Sequence, residues 1–238
     1  MMKIGILLVG RASEDLVDEY GTYAEMLIAL INTEEQVFEF KTFNILDDEF
    51  PKDHLECDGW IVTGSPHGVY EDHSWIPTVS QLINNVYEAN LPIFGVCFGH
   101  QLIAQALGGH VEKSEKGWGL GLHTYQVNNK PDYMSNLSEE VTLNICHQDQ
   151  VLRPPQGATV YAKSEFCENA GFYIKDKVLT MQAHPEFLVD FTKALLTARR
   201  DVTIPKEFVD PALVGLKNNP DSVQSNEFAK TIRQFFLA

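Results

Sequence analysis

Apolar residues in the first hundred positions form short runs that end at a glycine or a polar turn. Four such runs cover residues 3–10, 36–43, 59–64 and 92–96. Runs of this length bounded by turn residues predict β-strands. Apolar side chains recur at one-face helical spacing in residues 23–31 and 75–89. Alternating strands and helices predict an α/β fold, a three-layer sandwich in which helices cover both faces of a mostly parallel central sheet.

The second half of the chain has a different pattern, with short apolar segments and little helical spacing between them. Strands are predicted at residues 123–128, 141–147, 159–164, 171–176 and 177–184. They indicate a smaller, antiparallel extension of the same sheet. Helices are predicted at residues 185–200 and 224–237. The polar stretch 201–223 contains Pro205, Pro211 and Pro220 and is interpreted as a surface excursion before the C-terminal helix.

Length and composition favour one domain over residues 1–238, because no linker-like segment interrupts the chain. The 33 acidic and 18 basic residues give a formal net charge of −15, which disfavours nucleic acids and anionic membranes as partners. The chain shows no run of about 18 apolar residues, the length that a membrane span needs. The four cysteines lack CxxC spacing, which argues against a zinc site or a disulfide framework and favours the cytoplasm. No cofactor or metal motif is found, so none is predicted.

One cysteine lies where a predicted strand meets a predicted helix. Gly95, Cys97 and Gly99 fit the frame G-x-nucleophile-x-G, in which a sharp turn exposes the middle side chain. A helix N-terminus stabilises an anion, here a thiolate, and the N–H of Phe98 is the first candidate to bind a tetrahedral oxyanion. The alternative is a buried structural cysteine, the common state of a free thiol.

A thiol nucleophile requires a proton acceptor, and His184 has the most suitable local sequence. Pro185 favours an extended conformation at His184 and suits the first turn of the predicted helix. Glu186 is close enough in sequence to orient the imidazole, which completes a Cys-His-Glu triad. In the alternative interpretation, His184 is a polar residue at a strand end and Glu186 an ordinary first-turn acid. His147, which precedes Asp149, is a rival base.

A second turn follows the third predicted strand through Gly64, Ser65 and Pro66. A glycine-led loop at the carboxyl end of a parallel strand can direct a backbone N–H into the crevice where open α/β sheets bind ligands. Gly64 and Ser65 are therefore predicted to contribute to an oxyanion hole. A plain strand-to-helix connection is the alternative.

These motifs together resemble the class I glutamine amidotransferase family, and in particular the stand-alone relatives of the GMP synthetase glutaminase and the γ-glutamyl peptidases. The resemblance covers most of residues 3–200 through the segments "GWIVTGSP", "GVCFGHQLIAQALGG", "CHQDQV" and "AHPEF". It implies the flavodoxin-like fold of that family and hydrolysis of a γ-glutamyl amide through a thioester. Many members have a Gly-Gly-Pro turn where this chain has Gly64-Ser65-Pro66.

The resemblance also assigns roles to individual residues. It implies Cys97 as nucleophile, His184 as base and Glu186 as the orienting carboxylate, with an oxyanion hole from Gly64, Ser65 and Phe98. It implies a pocket for the glutamyl moiety of a small-molecule substrate, lined by Gln101, His147, Gln148 and Asp149.

Three further interpretations remain open at this point. The 238 residues leave no room for an ammonia-accepting domain, so a glutaminase subunit would serve a separate synthase. A non-catalytic module that binds a glutamyl ligand is the second. A redox or glyoxalase-like protein with an elbow cysteine is the third.

Overall fold

A computed structural model describes residues 1–32, 36–219 and 221–238 of the chain. Its strands are β1 (Met2–Leu8), β2 (Phe38–Asn44), β3 (Gly59–Val62), β4 (Ile93–Val96), β5 (His110–Lys113), β6 (Gly119–Val127), β7 (Glu140–His147), β8 (Asp149–Arg153), β9 (Thr159–Lys163), β10 (Gly171–Ile174) and β11 (Val178–Met181). Its α-helices are α1 (Glu14–Tyr20), α2 (Tyr23–Ile31), α3 (Trp75–Glu88), α4 (Phe98–Ala106), α5 (Val189–Arg199), α6 (Lys206–Asn218) and α7 (Ser225–Leu237). Within the described ranges, no helix is long and apolar enough to cross a membrane.

One large sheet organises the structure, with the strand order β2-β1-β3-β4-β11-β10-β9-β6-β7. Its first five strands pair in parallel, and the remaining pairs are antiparallel. Strands β5 and β8 form a separate two-stranded antiparallel sheet. These findings confirm the predicted α/β fold with its mostly parallel sheet and antiparallel extension.

Buried apolar side chains form two clusters, one on each face of the large sheet. One cluster contains core residues of α2, α5 and α7, such as Leu27, Phe191 and Phe228. The other contains residues of α3 and α4, such as Ile83 and Leu102. Because both faces of the parallel strands are covered, β3 and β4 are buried along their whole length. The helices therefore form the outer layers of the predicted sandwich.

Helix α5 begins later than the sequence pattern predicts. Residues 185–188 precede its first residue, Val189, so the prediction of a helix from residue 185 is wrong at its N-terminal end. The N–H of Phe187 instead donates to the carbonyl of His184 at 3.3 Å, which closes a turn. The Asn144 side chain donates to the carbonyl of Phe187 at 2.8 Å. This long-range contact with β7 stabilises a turn at residues where the sequence pattern predicts the first turn of a helix.

The polar stretch 201–223 contains a helix that the sequence interpretation did not include. Helix α6 carries Pro211 in its interior and buries Val209 and Leu216. Ala212 of α6 packs over Gly121 of β6, where a Cβ would lie 3.2 Å from the Ala212 Cβ. Pro220 lies outside the described residues. Pro211 lies inside this helix, so the prolines that predicted a surface excursion do not prevent a helix in this stretch.

Candidate active site

Cys97 lies at the turn between β4 and α4 in a backbone conformation that L-residues rarely adopt. Its φ is 50° and its ψ is −104°. A non-glycine residue in such a region costs on the order of 1–3 kcal/mol, which the surrounding structure has to offset. The Cys97 N–H donates to the carbonyl of Met181 at 2.8 Å, and the Cys97 carbonyl accepts from the N–H of Gln101 at 3.1 Å. The elbow is thus held by β11 on one side and by its own helix on the other.

The two glycines of the elbow are required by close backbone packing. A Cβ on Gly99 would lie 2.2 Å from the carbonyl oxygen of Val62 in β3. A Cβ on Gly95 would lie 2.6 Å from the backbone of Gly99. Both distances are far below van der Waals contact, so a side chain at either position would displace the backbone that carries Cys97. The frame identified in the sequence is therefore dictated by contact between α4 and the neighbouring strands.

The His184 imidazole is fixed from several directions. Its Nδ1 lies 2.7 Å from Oε1 of Glu186, and its ring stacks on Phe187 at a centroid separation of 3.8 Å and an interplanar angle of 4°. On another side, a Cβ on Gly64 would lie 2.8 Å from His184 Cε1, so only glycine leaves room for the ring. The His184 N–H donates to the carbonyl of Asn144 at 2.8 Å.

The electrostatic environment of His184 favours its protonated form. Burial by itself lowers the pKa of His184, but the neighbouring charges of Glu186 and Cys97, together with the hydrogen bond that the imidazole donates to Glu186, outweigh it and raise the pKa from 6.5 to about 10. All three residues are buried, at 4–5% exposure. The structure therefore brings the three predicted triad residues together beneath the surface, with His184 and Glu186 joined by a hydrogen bond.

The turn after β3 presents a peptide group of fixed orientation. The Thr63 hydroxyl donates to the carbonyl of Gly64 at 3.1 Å and accepts from the N–H of Val9 at 3.1 Å. A Cβ on Gly10 would lie 2.4 Å from the same Gly64 oxygen. Because carbonyl and N–H point in opposite directions across a trans peptide, the Ser65 N–H points away from Gly10.

A cavity of about 210 Å³ opens above Cys97. The predicted substrate-binding residues Gln101, His147, Gln148 and Asp149 all line it, as do Ser65, Trp118, Lys113 and Arg199. The Gln101 amide nitrogen donates to the carbonyl of Asp149 at 2.9 Å and to Oε1 of Gln182 at 3.1 Å. The structure thus places every predicted pocket residue around one opening.

His147, the rival base, has a different environment from His184. Its Nδ1 lies 3.0 Å from the carbonyl of Asp149, which can only accept, so Nδ1 carries the proton. Burial lowers the pKa of His147 to about 3, and the nearby histidines His123 and His184 add to the effect. Its Nε2 is buried and has no hydrogen-bond partner in the described part of the chain. His147 is therefore neutral, and the contact with a carboxylate belongs to His184.

Arg199 is a pocket residue that the sequence analysis did not identify. Its Nη1 donates to the Cys146 sulfur at 3.6 Å. Burial lowers the pKa of Arg199, but the neighbouring Cys146, Tyr23 and Cys97 raise it overall, so the guanidinium stays charged beside Cys97. A basic residue in the last turn of a helix is an ordinary complement to the helix dipole, so its sequence position gave no specific signal.

The family assignment rests on a match over most of the chain. The family model described as "Glutamine amidotransferase class-I" matches residues 15–199. The chain belongs to this family. It is accordingly an enzyme, an amidase of the class I glutamine amidotransferase type, as the resemblance implies.

Individual relatives are consistent with the family assignment. Gamma-glutamyl peptidase 4 of Arabidopsis thaliana is 35% identical over 189 residues, which cover 76% of this chain and 74% of the relative. The GMP synthase [glutamine-hydrolyzing] of Finegoldia magna is 33% identical over 129 residues, covering 54% of this chain and 24% of that protein. A glutamine amidotransferase crystal structure from Thermotoga maritima aligns with a TM-score of 0.80 and 18% identity, covering 100% of this chain and 99% of its own, which supports the fold.

Proposed function

We propose that the protein hydrolyses the γ-glutamyl C–N bond of glutamine or a γ-glutamyl peptide through a thioester at Cys97. The observation that carries the proposal is the buried, hydrogen-bonded pair His184–Glu186 next to Cys97, which itself lines a cavity. The similarity to a γ-glutamyl peptidase and to a glutamine-hydrolysing synthase supports the same bond type. Four free, buried cysteines support a reducing compartment such as the cytoplasm.

Acylation begins with the Cys97 thiolate and the His184 imidazolium. The sulfur attacks the γ-carbonyl carbon, and the carbonyl electrons move onto oxygen to form a tetrahedral oxyanion. When the C–N bond breaks, His184 gives its proton to the departing nitrogen, so an amine or ammonia leaves and a glutamyl thioester remains. Glu186 stabilises the imidazolium through its bond to Nδ1.

Hydrolysis of the thioester reverses these roles. Neutral His184 takes a proton from water, and the resulting hydroxide attacks the thioester carbon. The C–S bond then breaks and releases glutamate with the thiolate restored. Each cycle therefore consumes one water and requires no external cofactor.

Two backbone N–H groups are suited to the oxyanion. Phe98 is the first residue of α4, where N–H groups lack intrahelical acceptors and the helix dipole favours negative charge. The Ser65 N–H points away from Gly10 because Thr63 holds the Gly64 carbonyl on that side. We assign the oxyanion hole to Phe98 and the Gly64–Ser65 turn, as predicted from the sequence.

The free end of a γ-glutamyl group carries an α-carboxylate and an α-ammonium, and charged side chains of both signs line the cavity. Arg199 supplies the cation beside Cys97. Asp149 supplies the anion, although burial raises the pKa of this carboxyl and the hydrogen bond from Tyr70 partly offsets that rise. A planar guanidinium binds a carboxylate through two parallel hydrogen bonds, so Arg199 is assigned to the α-carboxylate.

Arg199→Met is expected to raise KM for a γ-glutamyl dipeptide by about 10-fold to 100-fold, because a charged hydrogen bond contributes roughly 1.5–3 kcal/mol. Steady-state kinetics provide the measurement. Arg200→Met is the matched control, because Arg200 pairs with Asp210 on the surface. An unchanged KM in Arg199→Met would contradict the assignment to the α-carboxylate.

Release of glutamate tests the proposed function directly. We expect stoichiometric glutamate from γ-glutamyl dipeptides, glutamine or both, measured by mass spectrometry against chemically matched α-glutamyl dipeptides. Turnover of glutamine alone would favour the second candidate, a glutaminase that supplies ammonia to a separate synthase, which the similarity to GMP synthase supports. Binding without product would instead indicate a glutamyl-binding module and contradict the proposal.

A further inference from the structure

The loop between β3 and α3 brings two imidazoles to a single carboxylate oxygen. His67 Nδ1 lies 3.0 Å from Oε2 of Glu71, and His73 Nε2 lies 2.9 Å from the same oxygen. One ligand atom from each of the three residues lies within 4.8 Å of the others. Two imidazole nitrogens and a carboxylate oxygen are a donor set that Zn²⁺ binds readily.

We propose that His67, Glu71 and His73 form a Zn²⁺ site at the mouth of the active-site cavity. Tetrahedral zinc with bonds of about 2.0–2.1 Å places neighbouring ligand atoms roughly 3.3 Å apart. The two His–Glu separations of 3.0 Å and 2.9 Å differ from this by only a few tenths of an ångström. Side-chain exposure of 32–42% leaves the fourth position open to water.

The cluster is also held in shape by neighbouring groups. The second oxygen of Glu71 accepts a hydrogen bond from the Gly68 N–H at 2.8 Å, which orients Oε2 toward the two imidazoles. His73 stacks on Trp75 at a centroid separation of 5.9 Å and an angle of 17°. Such outer contacts fix ligand orientation and commonly contribute 10-fold to 100-fold in metal affinity.

The position of the site links it to the cavity. His67 and Glu71 line the same opening as Cys97. Trp75 packs against Phe98, the residue after the nucleophile, at a centroid separation of 5.6 Å. A bound metal would therefore stabilise the loop that follows the Gly64–Ser65 turn, although the binding proposal stands independently of the catalytic one.

The main alternative is a hydrogen-bonded His–Glu–His cluster that has no affinity for metal. The two arrangements predict different numbers of Zn²⁺ bound per chain. Only a metal site makes Zn²⁺ binding depend on all three residues. A simple His–Glu pair occurs elsewhere, at His110 and Glu112, whose Nε2 and Oε1 lie 2.6 Å apart on the surface. That pair provides a matched control, because the same two residue types meet there without a third ligand in the described ranges.

Isothermal titration of ZnCl₂ into metal-free protein at pH 7.5 tests the proposal. The Cys97→Ala background removes the active-site thiol as a competing ligand. We expect one Zn²⁺ per chain, with affinity reduced at least about 100-fold by His67→Ala or by His73→Ala, since each removes a direct ligand. His110→Ala should leave the affinity within about twofold.

A spectroscopic readout separates a built site from loose association. Co²⁺ in a four-coordinate site with two nitrogen ligands should give visible absorption bands that Glu71→Gln abolishes, while circular dichroism confirms that this variant is folded. Absence of saturable binding up to 1 mM Zn²⁺, a concentration that corresponds to a binding free energy of about −4 kcal/mol, would overturn the proposal. An affinity that survives the His67→Ala/His73→Ala double substitution would also overturn it.

Discussion

Cys97→Ala is expected to lower kcat/KM for a γ-glutamyl substrate by at least about 10⁴-fold, because in the proposed mechanism the sulfur forms the covalent bond on which both half-reactions depend. Neither His184 nor the proposed oxyanion donors can replace this step. Initial rates of glutamate release measure the effect. Acid quenching of the active protein should also trap a glutamyl adduct on the peptide that contains Cys97, visible by mass spectrometry.

The control for this substitution is another buried cysteine remote from the cavity. Cys57→Ala removes a thiol of similar burial that packs near Gly5 on the opposite side of β3. Burial raises the pKa of Cys57, so its thiol stays protonated and unreactive. Retained turnover in Cys97→Ala, with normal circular dichroism, would exclude the thioester mechanism. Equal losses in both variants would indicate a stability effect instead.

The strands and the elbow are predictable because their signals are local. Apolar runs that end at glycine report buried parallel strands, and the spacing of Gly95, Cys97 and Gly99 reports a turn that only small residues permit. The residue at which α5 begins, by contrast, is not determined by a local sequence signal. Pro185 and Glu186 satisfy ordinary rules for a first helical turn, yet Asn144 and His184 pair across the sheet and hold these residues outside the helix.

The residues of the candidate site also differ in whether the sequence alone identifies them. Cys97, His184 and Glu186 are identifiable because their chemistry is distinctive within short motifs. Thr63 and Arg199 are not, because a threonine at a strand end and an arginine at a helix end have common structural roles. Their relevance comes from the topology that places β3, β4 and β11 side by side, with their carboxyl ends at one crevice.

Glu186→Gln is expected to lower kcat/KM at neutral pH by about 10³-fold to 10⁴-fold, as loss of a triad carboxylate does in related constellations. The amide keeps the size of the side chain but removes the charge that helps to raise the pKa of His184 to about 10. The imidazolium form of His184 should then be lost at lower pH than in the unmodified protein. The rate of Cys97 alkylation by iodoacetamide, followed from pH 5 to 10, measures this shift.

The pH dependence of thermal unfolding provides an independent test of the interaction between His184 and Glu186. A histidine whose pKa is raised on folding stabilises the native state fully below its unfolded value of 6.5, and this stability is lost as the pH rises toward about 10. The difference in Tm between the unmodified protein and Glu186→Gln should therefore be largest near pH 6 and shrink toward pH 10. Glu139→Gln, an exposed carboxylate-to-amide change, should show no such trend. A Tm difference independent of pH would mean that Glu186 stabilises the protein by packing alone. The orientation of the His184 imidazole would then depend on its stacking with Phe187 and on the hydrogen bond from the His184 N–H to Asn144.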